Sequence, residues 1–389
     1  MKMSIKTSVV GFGESTMRGF VPGVGEQIIY DLPYILRTNR NFKINRQRAV
    51  AGQGAYQQTE DTSGPVTATN IAGTYGAIAL VWFGITDAVN AIAVNTFKSR
   101  VALVVERCKR AGKYVVLLTP NKVNTSALYY DSTSVKDGLA VYQRVQENAE
   151  KVREVATASG ATLIDVNALA VSLGDTLYPN STGYTTILNA VLGVVTNAFV
   201  DKVNREAQVT LAFLATFQRA VAKGGLDFWQ NQIGLNIIDY TDLILDIMTN
   251  HLGDTPYPHS QSHTTPPPQY RSQDFVYDVF VNVLGREPQP EGLAWWASTI
   301  NEYQFIYSPE SAFSIGMGEI VAGSFDYVDN GHSASQGIYS YKLIQNRMAV
   351  ALAYAAIYSK TATDTPLPAG VLAGVTDNPA TVVTATAGF

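Results

Sequence analysis

The chain has 389 residues, 46% of them hydrophobic and 15% charged, with a formal net charge of −4. This balance excludes wholesale disorder and a general nucleic-acid binder, and the length leaves room for two or three domains. Cys108 is the single cysteine, so an intrachain disulfide and a cysteine-based zinc site are excluded too.

The first residues, MKMSIKTSVVGFG, carry no long apolar run ahead of a small-residue cleavage site. They read as a first β-strand at 7–12 rather than a signal peptide. Further short apolar runs at 77–83 (AIALVWF), 114–119 (YVVLLT) and 162–166 (TLIDV) predict buried strands. Helical patterns fill 89–111, 135–159 and 185–204, and Cys108 reads there as a small buried hydrophobe. Strand–helix alternation predicts an α/β fold for residues 1–205, a doubly wound parallel sheet in three flavodoxin-like layers. Active sites in such sheets gather at the carboxyl ends of the strands. That points to residues 13–15, 84–87, 120–121 and the loop after 166.

The remainder differs in charge and pattern. Residues 1–205 carry 21 Lys and Arg against 15 Asp and Glu, whereas residues 206–389 carry 7 against 17. Helical spacing dominates the second part. GLDFWQNQI (225–233) matches GLAWWASTI (292–300) at an offset of 67, pairing Phe213 with Phe280 and Arg219 with Arg286. The expected division is a degenerate helical repeat at 206–255, a Pro-rich connector at 256–269, a helical module at 270–359 and an extended C-terminal tail at 360–389. No apolar run reaches the ~18 residues of a membrane span, so no membrane insertion is expected.

Four short blocks in the first part carry chemistry. They are Gly13-Glu14-Ser15-Thr16, Ala51-Gly52-Gln53-Gly54, Gly84-Ile85-Thr86-Asp87 and Asp175-Thr176-Leu177-Tyr178-Pro179-Asn180, the last followed by Gly183-Tyr184. Their order resembles the SGNH/GDSL hydrolase family over roughly residues 5–205. The resemblance implies Ser15 as nucleophile, Gly52 and Thr86 at the oxyanion positions, and Asp175 orienting the base. A serine hydroxyl needs a base to take its proton, and each oxyanion donor contributes on the order of 10²–10³ in rate.

The chain departs from that pattern where the chemistry is decided. Tyr178 stands in the histidine position, and a phenol with a pKa of ~10 is a poor base at neutral pH. Thr86 stands for the asparagine, and Glu14 for the aspartate beside the nucleophile. The four histidines, His251, His259, His263 and His332, all follow residue 250. Ser15 and Asp175 therefore read as vestigial, with local caps as their plainer roles. Tyr178 and Asp87 are candidate glycan contacts, Tyr178 by stacking or else as a plug of the cleft. His259-x-x-x-His263 lies among prolines, and the acidic groups Asp239/Asp242/Asp246 and Asp326/Asp329 match no calcium loop, so no metal or cofactor is expected. The basic run Arg37, Arg40, Lys43, Arg46 and Arg48 reads as a solvated helix end or as a contact for an acidic neighbour.

Residues 280–296, FVNVLGREPQPEGLAWW, resemble the helical domain of unknown function 4214 family, through Gly285, Arg286, Pro288, Gly292, Leu293 and Trp296. That module belongs mostly to bacterial surface proteins and phage virions. Phe280, Leu293 and Trp296 are expected in its core, and Arg286 as a half-buried fork needing an acceptor. The combined expectation is a structural phage virion protein, a tail, tail-fibre or decoration component. Its partners would be other virion proteins, itself as a homo-oligomer, and host surface polysaccharide, with no nucleic acid. The alternatives are an active carbohydrate esterase using Ser15 with a non-standard base, and a bacterial protein at the cell surface.

Overall fold

The computed structural model describes residues 8–40, 42, 45–74, 77–125, 129–130, 135–136, 138–250, 272–329, 335–358, 367, 369–387 and 389. The four histidines, the Pro-rich connector and the side chains of Asp326 and Asp329 lie outside the described parts. The chain divides into two compact units at residues 201/202.

In the first unit the apolar runs form a parallel sheet. Its strands are β1 (Val9–Gly13), β2 (Asn45–Gln47), β3 (Ile78–Trp82), β4 (Tyr114–Leu118) and β5 (Thr162–Ile164), in the order β2-β1-β3-β4-β5. Val9 pairs with Ile78, and the β1–β3 register runs on to Gly13 opposite Trp82. Ile78 to Trp82 then pair with Tyr114 to Leu118. Every residue of β1 and β3 is buried. Neighbouring residues of a strand point to opposite faces, so both faces are covered and the fold is the doubly wound α/β class. β2 has no apolar signal in the sequence. It forms because β1 offers a free edge, which Arg48 and Val50 continue to use by donating to the Gly11 and Gly13 carbonyls.

The helices of this unit are α1 (Leu32–Arg40), α2 (Ala55–Glu60), α3 (Ala68–Ala72), α4 (Ile85–Val89), α5 (Val94–Arg110), α6 (Gly138–Ser159) and α7 (Ser181–Val194). The helical pattern expected over 89–111 breaks where Ala91 takes a φ of 55° and the Ile92 N–H returns to the Asp87 carbonyl. Cys108 is fully buried, and burial pushes its thiol up to about 12. Arg40, expected at a solvated helix end, instead ties α1 to the C-terminus of α7. Its Nε and Nη2 donate to the carbonyls of Val195 and Leu192, both at 2.7 Å. A cation on unsatisfied helix carbonyls is favoured by charge and dipole alike.

α8 (Asn197–Phe217) leads into the second unit, which continues with α9 (Lys223–Gly234), α10 (Tyr240–Asn250), α11 (Ser272–Asn282), α12 (Pro290–Gln304), α13 (Pro309–Asp329) and α14 (Ser335–Ala353). Among the described residues no single helix is long and apolar enough to cross a membrane. The two repeat copies share a plan of helix, arginine-bearing turn, and helix opening near Gly-Leu. The Arg219 guanidinium lies 4.5 Å from the Phe217 ring, and that of Arg286 lies 4.9 Å from Phe280. Arg286 also donates to the Ser340 hydroxyl at 3.0 Å. Gly285 has a φ of 67°, and a Cβ there would meet Leu343 at 2.2 Å, so both backbone and space require glycine.

Two expectations need correction here. Phe280 is buried, but Leu293 and Trp296 are only half-buried, and the face that α12 buries is that of Ala297 and Ile300. Over its described residues the tail is not an extended arm. It forms α15 (Ala369–Ala373) and α16 (Ala380–Thr386), burying Leu372, Val375 and Val382, and Asn346 of α14 donates to the Thr376 carbonyl at 2.8 Å. Low charge and many small apolar side chains let these residues pack inward. Asp239 and Asp242 cap α10 reciprocally, Asp239 Oδ1 accepting from Thr241 and Asp242 N–H, and Asp242 Oδ2 from Asp239 N–H.

Replacing Arg40 with alanine removes both bonds to the end of α7. The expected loss is about 1–3 kcal/mol of unfolding free energy, read from the urea midpoint at unchanged slope.

Candidate active site

The four loop blocks meet at the carboxyl ends of β1 and β3. Glu14 leaves β1 fully buried, and its two carboxylate oxygens accept from the Ile85 N–H at 2.9 Å and the Thr86 N–H at 2.7 Å. The Thr86 side chain lies beside the same carboxylate. Burial outweighs these bonds and raises the carboxyl to about 7, with the Asp87 charge adding to the rise.

Ser15 opens a single 3-10 turn, Ser15–Arg18, and is itself buried. The Gly52 N–H donates to its Oγ at 3.4 Å, the long end of hydrogen-bond range. The other neighbour of Ser15 is Tyr178, whose hydroxyl lies beside the serine side chain. The Tyr178 ring meets Phe20 edge-on at 5.0 Å. Close by, Tyr184 donates to the Phe20 carbonyl at 2.9 Å and stacks on Tyr30 at 5.2 Å. Burial pushes the Tyr178 phenol up to about 12, and the nearby Glu14 carboxylate works in the same direction. At neutral pH this phenol is protonated and accepts no proton from Ser15.

Asp175 is exposed, and its Oδ1 accepts from the N–H groups of Leu177 and Tyr178, both at 2.7 Å. It thus holds the turn that carries Tyr178. The bridge between Leu173 and Pro179 and the Gly174 N–H on the Tyr178 carbonyl close the same loop. Thr86 is buried at the start of α4, with its N–H on Glu14 and its side chain beside the same carboxylate. Asp87, expected as a glycan contact, has no exposed surface. Its two oxygens accept from the Ala55 and Tyr56 N–H groups at 2.8 and 3.0 Å, because α2 begins directly over it. Gly54 permits that approach, since a Cβ there would lie 2.4 Å from the Asp87 carboxylate. The structure therefore brings Ser15, Gly52 and Tyr178 together, leaves Asp175 at the surface and encloses Asp87.

Three buried amides complete the frame and carry no motif of their own. Gln58 donates to the carbonyls of Gly13 and Gln53 at 2.8 and 2.9 Å, tying the serine loop to the Gly52 loop. Asn148 holds the Gly84 carbonyl at 2.9 Å, and Asn121 holds that of Leu177 at 3.0 Å. The strand-end rule reaches the loop of Asn121 but not the helical positions of Gln58 and Asn148. Among the described residues no three His, Cys, Asp or Glu side chains group as metal ligands.

Comparison with solved structures finds likenesses over half of the chain. A protein assigned to the G-D-S-L lipolytic family from Desulfitobacterium hafniense is 18% identical, covering 49% of this chain and 99% of its own, with a TM-score of 0.37. A GDSL-like lipase from Bacteroides thetaiotaomicron is 15% identical, covering 51% and 93%, with a TM-score of 0.39. An acetylxylan esterase from Geobacillus stearothermophilus is 13% identical, covering 50% and 96%, with a TM-score of 0.36. No family model and no curated protein matches the chain.

The raised carboxyl of Glu14 has a thermodynamic signature. Folding holds this proton more tightly than the unfolded chain, whose carboxyl titrates near 4.5. Its contribution is present below about pH 4.5 and is lost as pH rises through about 7. Glu14→Gln should flatten that limb, so that the stability difference between wild type and variant shifts by roughly 3 kcal/mol between pH 4 and pH 8 in denaturant titrations.

Proposed function

We propose that the first unit is a retained SGNH-like scaffold that does not hydrolyse esters, within a structural protein of a phage virion. The Tyr178 phenol beside Ser15 carries this reading, because burial pushes it up to about 12, which makes the group facing the serine an acid rather than a base. Two further observations support it. Thr86 is bound into the Glu14 site through its N–H. Asp175 serves the backbone of its own turn. With Asp87 enclosed, a host glycan would find only Tyr178 of the expected pair. The virion setting rests on the Gly285–Trp296 signature of the second unit. Detection of the chain in purified phage particles tests it.

Hydrolysis of an activated acetate ester, together with labelling by a fluorophosphonate, tests the loss of catalysis. Wild type and Ser15→Ala are expected to behave alike. Turnover that depends on Ser15 would establish the esterase reading instead. Tyr178→His places an imidazole beside Ser15 on a turn that already carries Asp175. That variant should gain Ser15-dependent turnover of about 10²-fold over wild type.

A further inference from the structure

The two repeat copies of the second unit share an exposed apolar feature. On α12 one stripe of residues faces solvent, including Glu291, Trp295, Ser298, Glu302 and Phe305. It runs directly into the connection to α13, where Phe305 is 91% and Ile306 73% exposed. On α9 the stripe Phe228, Asn231 and Leu235 likewise runs into an exposed turn that ends in Ile237. Phe228 and Trp295 occupy the same repeat position, three residues after Gly225 and Gly292, and are 54% and 59% exposed. Single exposed apolar side chains are ordinary on any surface. Repeat-equivalent aromatics, each followed by an apolar turn, mark an interaction surface.

Charge identifies what this surface fits. Residues 224–329 contain 14 Asp and Glu but only two basic residues, Arg271 and Arg286. Such a surface repels nucleic acid and anionic lipid and selects a partner that is apolar with a basic surround. The first unit presents that combination. Val24, Ile28 and Ile29 are 65%, 64% and 58% exposed, just before α1. Near them in the chain Arg18 pairs with Glu26 and Arg40 with helix carbonyls, while Arg37 and Arg48 present their charges at exposed positions.

We propose that the outer stripe of α12 and its Phe305–Ile306 turn dock, in trans, on the Val24/Ile28/Ile29 surface of a second copy of this chain. Two different surfaces then meet in a head-to-tail contact. Such a contact repeats from copy to copy and builds a ring or a filament. It is independent of whether Ser15 has any activity.

Sedimentation velocity on the full chain tests this with two variants, Phe305→Ser/Ile306→Ser and Ile28→Ser/Ile29→Ser. Wild type is expected to associate beyond a dimer, more weakly at high salt. Each variant alone should weaken association by at least about tenfold, since buried aromatic and aliphatic anchors dominate interfaces. An equimolar mixture of the two should recover a dimer and nothing larger, because each retains the surface the other lost. Circular dichroism of each variant confirms that these surface changes leave the fold intact. A monomeric wild type at about 100 µM, near the weak end of specific association, would overturn the proposal. So would a mixture that stays monomeric, the result expected if like surfaces pair or if the stripe serves a different partner.

Discussion

The Glu14 carboxylate is buried at the point where the chain leaves β1, and it accepts the first two free N–H groups of the loop after β3. Strands β1 and β3 are neighbours in register, so this clasp joins the ends of two parallel strands that the ladder alone leaves open. Everything at the site follows from it. Ser15 is held one residue beyond the clasp, Thr86 is bound into it by its N–H, and Asp87 is turned under α2 to receive a second pair of N–H groups. Two carboxylates thus satisfy four backbone donors at the loop ends, at the cost of burial that raises both above their ordinary range.

Such a frame fixes loop positions without specifying chemistry. The turn around Asp175 closes on its own backbone, so it presents whatever side chain stands at 178 toward Ser15. A tyrosine there gains an aromatic neighbour in Phe20 and a polar one in Ser15. Both are ordinary stabilising contacts for a half-buried phenol. The same turn that could present a base to Ser15 presents a phenol equally well.

The second unit is built on a different economy. Its two copies each pair a helix with an arginine over a phenylalanine ring, and the Arg286 fork reaches across to Ser340. Inward-facing apolar residues such as Phe275, Phe280 and Ile300 are buried, while the repeat-equivalent aromatics Phe228 and Trp295 remain outside. The tail, by contrast, spends its apolar residues on α14.

Much of this was legible in the letters. The four long apolar runs became β1, β3, β4 and β5, because a strand buried on both faces must be apolar throughout. The four loop blocks lie where strand ends place them, and the Gly-Leu repeat marked two copies of one helical plan. β2 was not legible, since Asn-Arg-Gln becomes a strand only when the edge of β1 is present to pair with it. Nor were Gln58 and Asn148, whose amides have no pattern until the carbonyls they serve come within reach. The sequence by itself determined that the residue at 178 is a phenol and that residues 1–250 hold no histidine, because those are matters of composition. Only the tertiary structure decided that this phenol sits against Ser15, that the Ile85 and Thr86 N–H groups bind Glu14 and that Asp87 is enclosed. Each of these depends on distance between segments far apart in the chain, and local spacing carries no information about it.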